Sequence, residues 1–284
     1  MQAEELDTVV LEKLGLSKKQ SPKLDNWRAF LERLKNPKHT IHIGLVGKYV
    51  ELKDAYKSIS EAFIHAGVTN ETKVKVDWIH SETLDPENIS TALSGLDGIL
   101  VAPGFGSRGI DGKIAAVQFA RENHIPFLGI CLGMQIAVIE FARNVMGLTD
   151  AHSTEMSENT SAAVISMMEE QKRISNMGGS MRLGAYKCEL KPNSNTAKAY
   201  QNNNISERHR HRYEFNNAFL ADFEAKGMIA TGKNPDTGLV EVVEIPTHPW
   251  FVGVQFNPEY TSNVDFPHPL FVAFVKAALT NKKK

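Results

Sequence analysis

Of the two cysteines in the 284 residues, Cys131 and Cys188, one stands where a nucleophile would. Pro126-Phe127-Leu128 reads as a strand running into Gly129-Ile130-Cys131-Leu132-Gly133, with a helical stretch behind it. This pattern is a nucleophile elbow with cysteine in place of serine. The sharp strand-to-helix turn strains the backbone, and the flanking glycines avoid collisions that side chains would make. The turn also sets the sulfur at the positive end of a helix, which predicts a lowered thiol pKa and a reactive thiolate. The chemistry that uses such a group is acyl transfer. With 20 glycines and two cysteines in the chain, chance supplies G-x-C-x-G about 0.01 times. A lone cysteine is more commonly a buried packing residue, and that reading fits Cys188 in Tyr186-Lys187-Cys188-Glu189-Leu190.

Acyl transfer also needs backbone donors for the developing oxyanion. Leu132, directly after the nucleophile, supplies one by construction. Ala102-Pro103-Gly104-Phe105-Gly106-Ser107-Arg108-Gly109 is a glycine-rich turn at the end of a neighbouring strand, where the second is required; it lacks the spacing of a phosphate loop. A base and its orienting carboxylate are expected near the C-terminus, in Gln255-Phe256-Asn257-Pro258-Glu259.

These turns require a sheet to present them. From residue 41, short apolar runs (41–46, 74–79, 98–102, 126–130) alternate with helical stretches (56–66, 86–93, 113–122, 134–145). That rhythm predicts an α/β fold with a mostly parallel central sheet flanked by helices. Ligand sites in such sheets lie at the carboxyl ends of the strands. Upstream, Leu6, Val9, Val10, Leu14 and then Trp27, Phe30, Leu31, Leu34 recur at helical spacing around a polar, proline-containing break. Two helices this short cannot bury their own apolar stripes, so they lean on the body that follows or on something outside the chain. Residues 152–184 are polar and methionine-rich, with Gly178-Gly179 inside, and predict a loop-rich, lid-like excursion. Further β-like runs at 186–190, 228–231, 239–245 and 250–255 and a helix at 269–279 complete the pattern.

Composition narrows the function classes. Thirty-two Lys plus Arg against 33 Asp plus Glu give a net charge of −1, which argues against a nucleic-acid or membrane-surface binder held by electrostatics. There is no apolar run of membrane-spanning length, and the N-terminal stretch is acidic rather than signal-like. Two thiols do not make a disulfide framework, so the expected setting is cytoplasmic. The alternating Arg208-His209-Arg210-His211-Arg212 lacks further ligands at zinc spacing, and no metal site is expected. At strand period its arginines would share one face, which suits a carboxylate.

The elbow with Met134 and Gln135, the Pro103-Gly104-Phe105-Gly106 turn and the Gln255 to Glu259 segment together resemble the class I (triad) glutamine amidotransferases. A narrower resemblance, to glutaminase domains of the CTP synthase family, rests on several further segments. These are His152-Ser153-Thr154-Glu155, Gly178 to Gly184, Glu207 to Glu214 and His268-Pro269-Leu270-Phe271. The resemblance implies a flavodoxin-like glutaminase domain over residues 41–284, preceded at 1–40 by a helical junction from a synthetase domain that is absent here. In such enzymes the nucleophile, here Cys131, attacks the side-chain amide of L-glutamine and leaves a γ-glutamyl thioester that water hydrolyses. Ammonia then passes to the synthetase (amidoligase) half, which uses ATP and Mg to convert UTP to CTP. By position, Gly104 and Leu132 bind the oxyanion or substrate, while Gln135, Glu155 and Arg212 hold glutamine. A zwitterion needs one anion and one guanidinium fork, consistent with Glu155 and Arg212. The glutaminase domain itself binds no cofactor; GTP is the family's activator, with Phe105, Arg108 and Arg182 as candidates for its region.

One position departs from the resemblance. The family has histidine, in the order His-Pro-Glu, where this chain has Asn257. That histidine would take the thiol proton and later protonate the leaving ammonia. Asparagine has no proton to exchange near neutral pH, and Glu259 is left holding an amide. Turnover is therefore expected to fall at least roughly 10²-fold. His42, His248 and His268 are the remaining candidates for a base, although His248 reads as a turn residue and His268 as a helix N-terminal one. A non-catalytic glutamine- or nucleotide-sensing module, or another class I glutaminase, stands as the alternative.

Overall fold

The computed structural model describes residues 4–16, 23–167 and 181–282. Two helices come first, α1 (Leu6–Lys13) and α2 (Asp25–Lys35). The alternating segment then forms β1 (His39–Gly47), α3 (Lys57–Thr69), β2 (Thr72–His80), α4 (Ile89–Leu93), β3 (Gly98–Val101), α5 (Ile110–Glu122), β4 (Phe127–Ile130) and α6 (Leu132–Asn144). Beyond it lie β5 (Ala151–Ser153), β6 (Ala162–Met167), β7 (Arg182–Leu190), α7 (Asn195–Tyr200), β8 (Asn204–His211), β9 (Tyr213–Phe215) and α8 (Leu220–Lys226). The last elements are β10 (Ile229–Lys233), β11 (Val240–Glu244), β12 (Phe251–Val254) and α9 (Pro269–Lys282).

Among the described residues a nine-stranded sheet runs in the order β2-β1-β3-β4-β12-β11-β10-β7-β8. The five strands from β2 to β12 pair in parallel. The remaining pairings are antiparallel, so the parallel half that alternation predicts is extended by an antiparallel half.

Parallel strands are buried on both faces and need apolar residues on both. Ile41, Ile43 and Leu45 of β1 fill one core, where Phe63 of α3 meets Phe271 of α9 edge to face at 5.3 Å between ring centres. Val46, Val101 and Phe127 fill the other, under α5 and α6. There Phe127 and Phe251, from neighbouring strands, stack at 4.4 Å.

The region expected to be a loop-rich excursion is partly ordered strand: β5, β6 and β9 form a second sheet against α6. The pairing of β9 with β6 is nonlocal, with Ile165 opposite Phe215, and so invisible to local pattern. Gly178-Gly179 and the lid-like part fall in 168–180, outside the described residues. Of the N-terminal helices, α2 leans on the body through Phe30, 6.1 Å from the His65 ring. Leu6, Val9 and Val10 of α1 stay exposed. No described helix is long and apolar enough to cross a membrane.

Register fixes the functional end. Val101 of β3 lies opposite Gly129 of β4, and Ile130 of β4 lies opposite Val254 of β12. The chain therefore leaves three adjacent parallel strands at Ala102, Cys131 and Gln255, side by side.

Candidate active site

Cys131 has φ 53° and ψ −103°, a region that residues with a side chain avoid. The surroundings hold it there. Its N–H donates to the Val254 carbonyl at 2.7 Å, and its own carbonyl accepts from Met134 and Gln135 at 3.1 and 3.2 Å. A Cβ on Gly129 would lie 2.7 Å from the Gly133 backbone, and one on Gly133 would run into the Val101 carbonyl. These contacts are why the elbow needs both glycines.

The thiol is 3% exposed. Burial pushes it up to about 12, and the Glu259 carboxylate adds to the rise; the Leu132 N–H pulls in the opposite direction. This corrects the expectation of a lowered thiol pKa. The helix N-terminus acts with the anticipated sign, but desolvation outweighs it. Gln255 Nε2 and the Arg210 carbonyl stand 3.8 and 3.9 Å from Sγ.

A cavity of about 250 Å³ opens over the thiol, lined by Gly104, Phe105, Cys131, Arg210, Asn257 and Tyr260. A Cβ on Gly104 would touch the Leu132 side chain at 3.5 Å. The glycine turn and the residue after Cys131 are thus adjacent. On the far side Asn257 is buried, and its Nδ2 donates to Glu259 Oε1 at 3.0 Å. Asn257 Oδ1 and Glu259 Oε2 are buried with no hydrogen-bond partner among the described residues. Burial pushes the Glu259 carboxyl up to about 7, against the smaller pull of the Asn257 amide.

None of the other candidate bases reaches this place. His248 contacts the Ala120 carbonyl and the Trp250 N–H. His268 pairs with Glu207 at 3.0 Å and accepts from Leu270 N–H, and His42 pairs with Asp77 at 2.9 Å.

Gln135, buried in α6, donates to the Tyr213 carbonyl at 3.0 Å and to Gln255 Oε1 at 3.2 Å, linking β9 to the residue beside the thiol. Glu155 accepts from Gly106 N–H at 2.8 Å. Arg212 is exposed in the bend between β8 and β9. Burial raises the Tyr213 hydroxyl pKa, with Glu155 adding to the rise and Arg212 opposing it. Arg208 and Arg210 share the exposed face of β8, while His209 and His211 face inward and bond each other at 2.8 Å.

The three residues assigned to a GTP region separate. Phe105 is exposed beneath the Arg210 guanidinium, and Arg108 lies over the Tyr49 ring and pairs with Glu82. Arg182 is buried, bridging Glu214 at 3.0 Å and Glu241 at 2.8 Å. Two site residues escaped the sequence reading, Lys48 and Lys113. Their ammonium groups lie behind Gly104, and a Cβ there would be 3.6 Å from Lys48 Cε and 3.9 Å from Lys113 Nζ. Lys113 had a legible signal, a charge on the apolar stripe Ile110, Ile114, Val117 of α5; for Lys48 there was none.

The profile of the family "Glutamine amidotransferase class-I" matches residues 51–277. The chain belongs to the class I glutamine amidotransferases. Within that family it is similar to CTP synthase of Flavobacterium johnsoniae, with 60% identity over 284 residues, all of this chain and 53% of the relative. CTP synthase of Cytophaga hutchinsonii is 62% identical over 278 residues, covering 98% of this chain and 52% of the relative. The chain spans about half the length of these curated relatives. A solved glutaminase domain of Trypanosoma brucei CTPS with bound acivicin superposes with a TM-score of 0.80 at 39% identity, covering 84% of this chain and 94% of that one. This amidotransferase is therefore of the CTP synthase glutaminase type.

Proposed function

We propose that this chain binds L-glutamine over Cys131 and hydrolyses it slowly, as the ammonia-supplying part of a CTP-forming enzyme. The observation that carries the reading is the strained elbow, with the glycine turn on one side and the Asn257–Glu259 pair on the other. In the reaction the thiolate bonds to the side-chain amide carbon. The carbonyl electron pair moves to oxygen, facing Gly104 and Leu132. The C–N bond then breaks, and the leaving nitrogen takes a proton to become ammonia. Water adds to the thioester, releasing glutamate and restoring the thiol. Glu155 and Arg212 hold the substrate ammonium and carboxylate.

Both proton transfers lack a partner at Asn257, so turnover is reduced by at least roughly 10²-fold. What remains comes from the elbow, the oxyanion donors and binding. Ammonia passes to a synthetase half that uses ATP and Mg to aminate UTP, with GTP as activator near Phe105, Arg108 and Arg182. Residues 1–40 form the junction to that half, and the setting is cytoplasmic. The test is ammonia release from glutamine by the chain and by Asn257→His, each with and without GTP.

A second reading, a glutamine sensor that binds without hydrolysing, is favoured by the combination of a thiol pushed up to about 12 and a carboxyl pushed up to about 7. Glutamine binding with no ammonia release even from Asn257→His would select it.

A further inference from the structure

The glycine turn after β3 is held by two lysines from different elements. Lys113 of α5 is fully buried, and its ammonium donates to the Ala102 carbonyl at 3.1 Å. Lys48, just past β1, is also buried, and its ammonium donates to the Phe105 carbonyl. The next N–H, that of Gly106, is taken by Glu155 at 2.8 Å. The Ala102–Pro103 peptide before the Gly104 turn is thus held by its carbonyl, and the Phe105–Gly106 peptide after it is gripped at both ends. Among the described residues no acceptor is bonded to the N–H of Gly104 or of Phe105, and both residues line the cavity over the thiol.

A buried ammonium on an apolar helix face is costly, and structural needs alone would be met by an apolar side chain. Burial depresses Lys113 to about 7, with Lys48 pushing the same way and Cys131 opposing. A glycine turn is free to rotate its peptides, and a rotated peptide would point a carbonyl at the developing oxyanion.

We propose that Lys48 and Lys113 are positioning residues that clamp the oxyanion turn, fixing the Ala102 and Phe105 carbonyls so that the Gly104 and Phe105 N–H groups stay available to the tetrahedral intermediate. Glu155 holds the Gly106 N–H on the other side of the same turn. The proposal rests on the glutamine-hydrolysing reading above.

The test compares two ligands on the full chain by calorimetry: glutamine, and its analogue with an aldehyde in place of the side-chain amide. The Cys131 thiol adds across the aldehyde, forming a C–S bond while its proton ends on the oxygen, and the adduct carries the tetrahedral centre that glutamine lacks. Lys113→Met and Lys48→Met each keep side-chain length and remove the ammonium. Because a lost oxyanion donor costs about 10²–10³ in rate, each variant is expected to weaken the aldehyde by about 10-fold or more and to leave glutamine affinity within about 2-fold. Lys48→Met, outside the helix core, carries the test alone if Lys113→Met does not fold. An equal loss for both ligands, or none for either, would overturn the clamp. If the unsubstituted chain bound neither ligand, the glutamine reading would fall, and the clamp with it.

Discussion

Replacing Asn257 by histidine is expected to raise glutaminase turnover by about 10² to 10⁴. The base and the thiol each bound that gain. A positioned base contributes about 10²–10⁴, equivalent to about 3–5 kcal/mol of barrier at 1.36 kcal/mol per decade. The thiol itself sets a ceiling. Held at about 12, it is ionised to roughly one part in 10⁴ to 10⁵ at pH 7.5, and a base that removes the proton during attack can recover at most that factor. Geometry favours the exchange, because Asn257 Nδ2 already donates to Glu259 Oε1 at 3.0 Å, the bond an imidazole Nδ1–H would make. The assay is ammonia release at saturating glutamine, with Cys131→Ser in both backgrounds as the blank. Its pH arm adds a sign. Without a base the rate should climb about tenfold per pH unit from 7 to 9 as the thiolate population grows, whereas the histidine variant should level off above the imidazole pKa, ordinarily about 6.5. A turnover of Asn257→His within a few-fold of the unsubstituted chain would show that position 257 does not limit the reaction. So would an unsubstituted chain already working at about 1 per second.

Glu259 is raised to about 7 from 4.5, so its stabilising contribution is complete below 4.5 and is lost as pH rises through 7. That amounts to about 3 kcal/mol at 1.36 kcal/mol per unit. Glu259→Gln should therefore gain stability relative to the parent between pH 5 and 8, and urea melts showing a constant difference would contradict it. A glutamine-mimicking electrophile should label Cys131 and leave Cys188, which packs against Gly232, untouched; peptide mass spectrometry showing equal labelling would defeat the assignment. Gly129→Ala should lose about 1–3 kcal/mol or more by forcing a methyl onto the Gly133 backbone, with loss of Cys131 labelling, and an unchanged melt would count against the elbow geometry. Phe127→Ala should cost about 3–5 kcal/mol by removing half of the Phe127–Phe251 stack, read by denaturant midpoint.

Much of the site was legible because its devices are local. A G-x-C-x-G between a strand and a helix states its backbone conformation, since the two glycines answer contacts a few residues away. The alternation of apolar runs and helices likewise states a parallel sheet, because crossovers leave few other solutions. The antiparallel half and the small sheet were less legible, since β6 pairs with β9 across some 50 residues, Ile165 opposite Phe215, and local periodicity says nothing about such a partner. Arg182 shows the same limit from another side. Its sequence neighbours suggest an exposed, ligand-facing arginine, and only the approach of β9 and β11 brings Glu214 and Glu241 to neutralise it inside.

The Cys131 elbow, its glycine-rich partner turn and the asparagine at 257 were readable in the sequence alone, because each is a matter of residue type at a fixed local spacing. Tertiary structure decided the thiol's proton affinity. The helix N-terminus that should lower it is a local feature, while the burial and the Glu259 charge that raise it come from β12 and the turn beyond packing over the elbow. It also decided what stands behind the oxyanion turn. Lys48 and Lys113 are 65 residues apart in the chain, and their ammonium groups converge on Gly104 only because β1 and β3 are neighbours in the sheet and α5 packs beneath them. Desolvation and long-range charge depend on what surrounds a group in space, and that information exists only once the chain has folded.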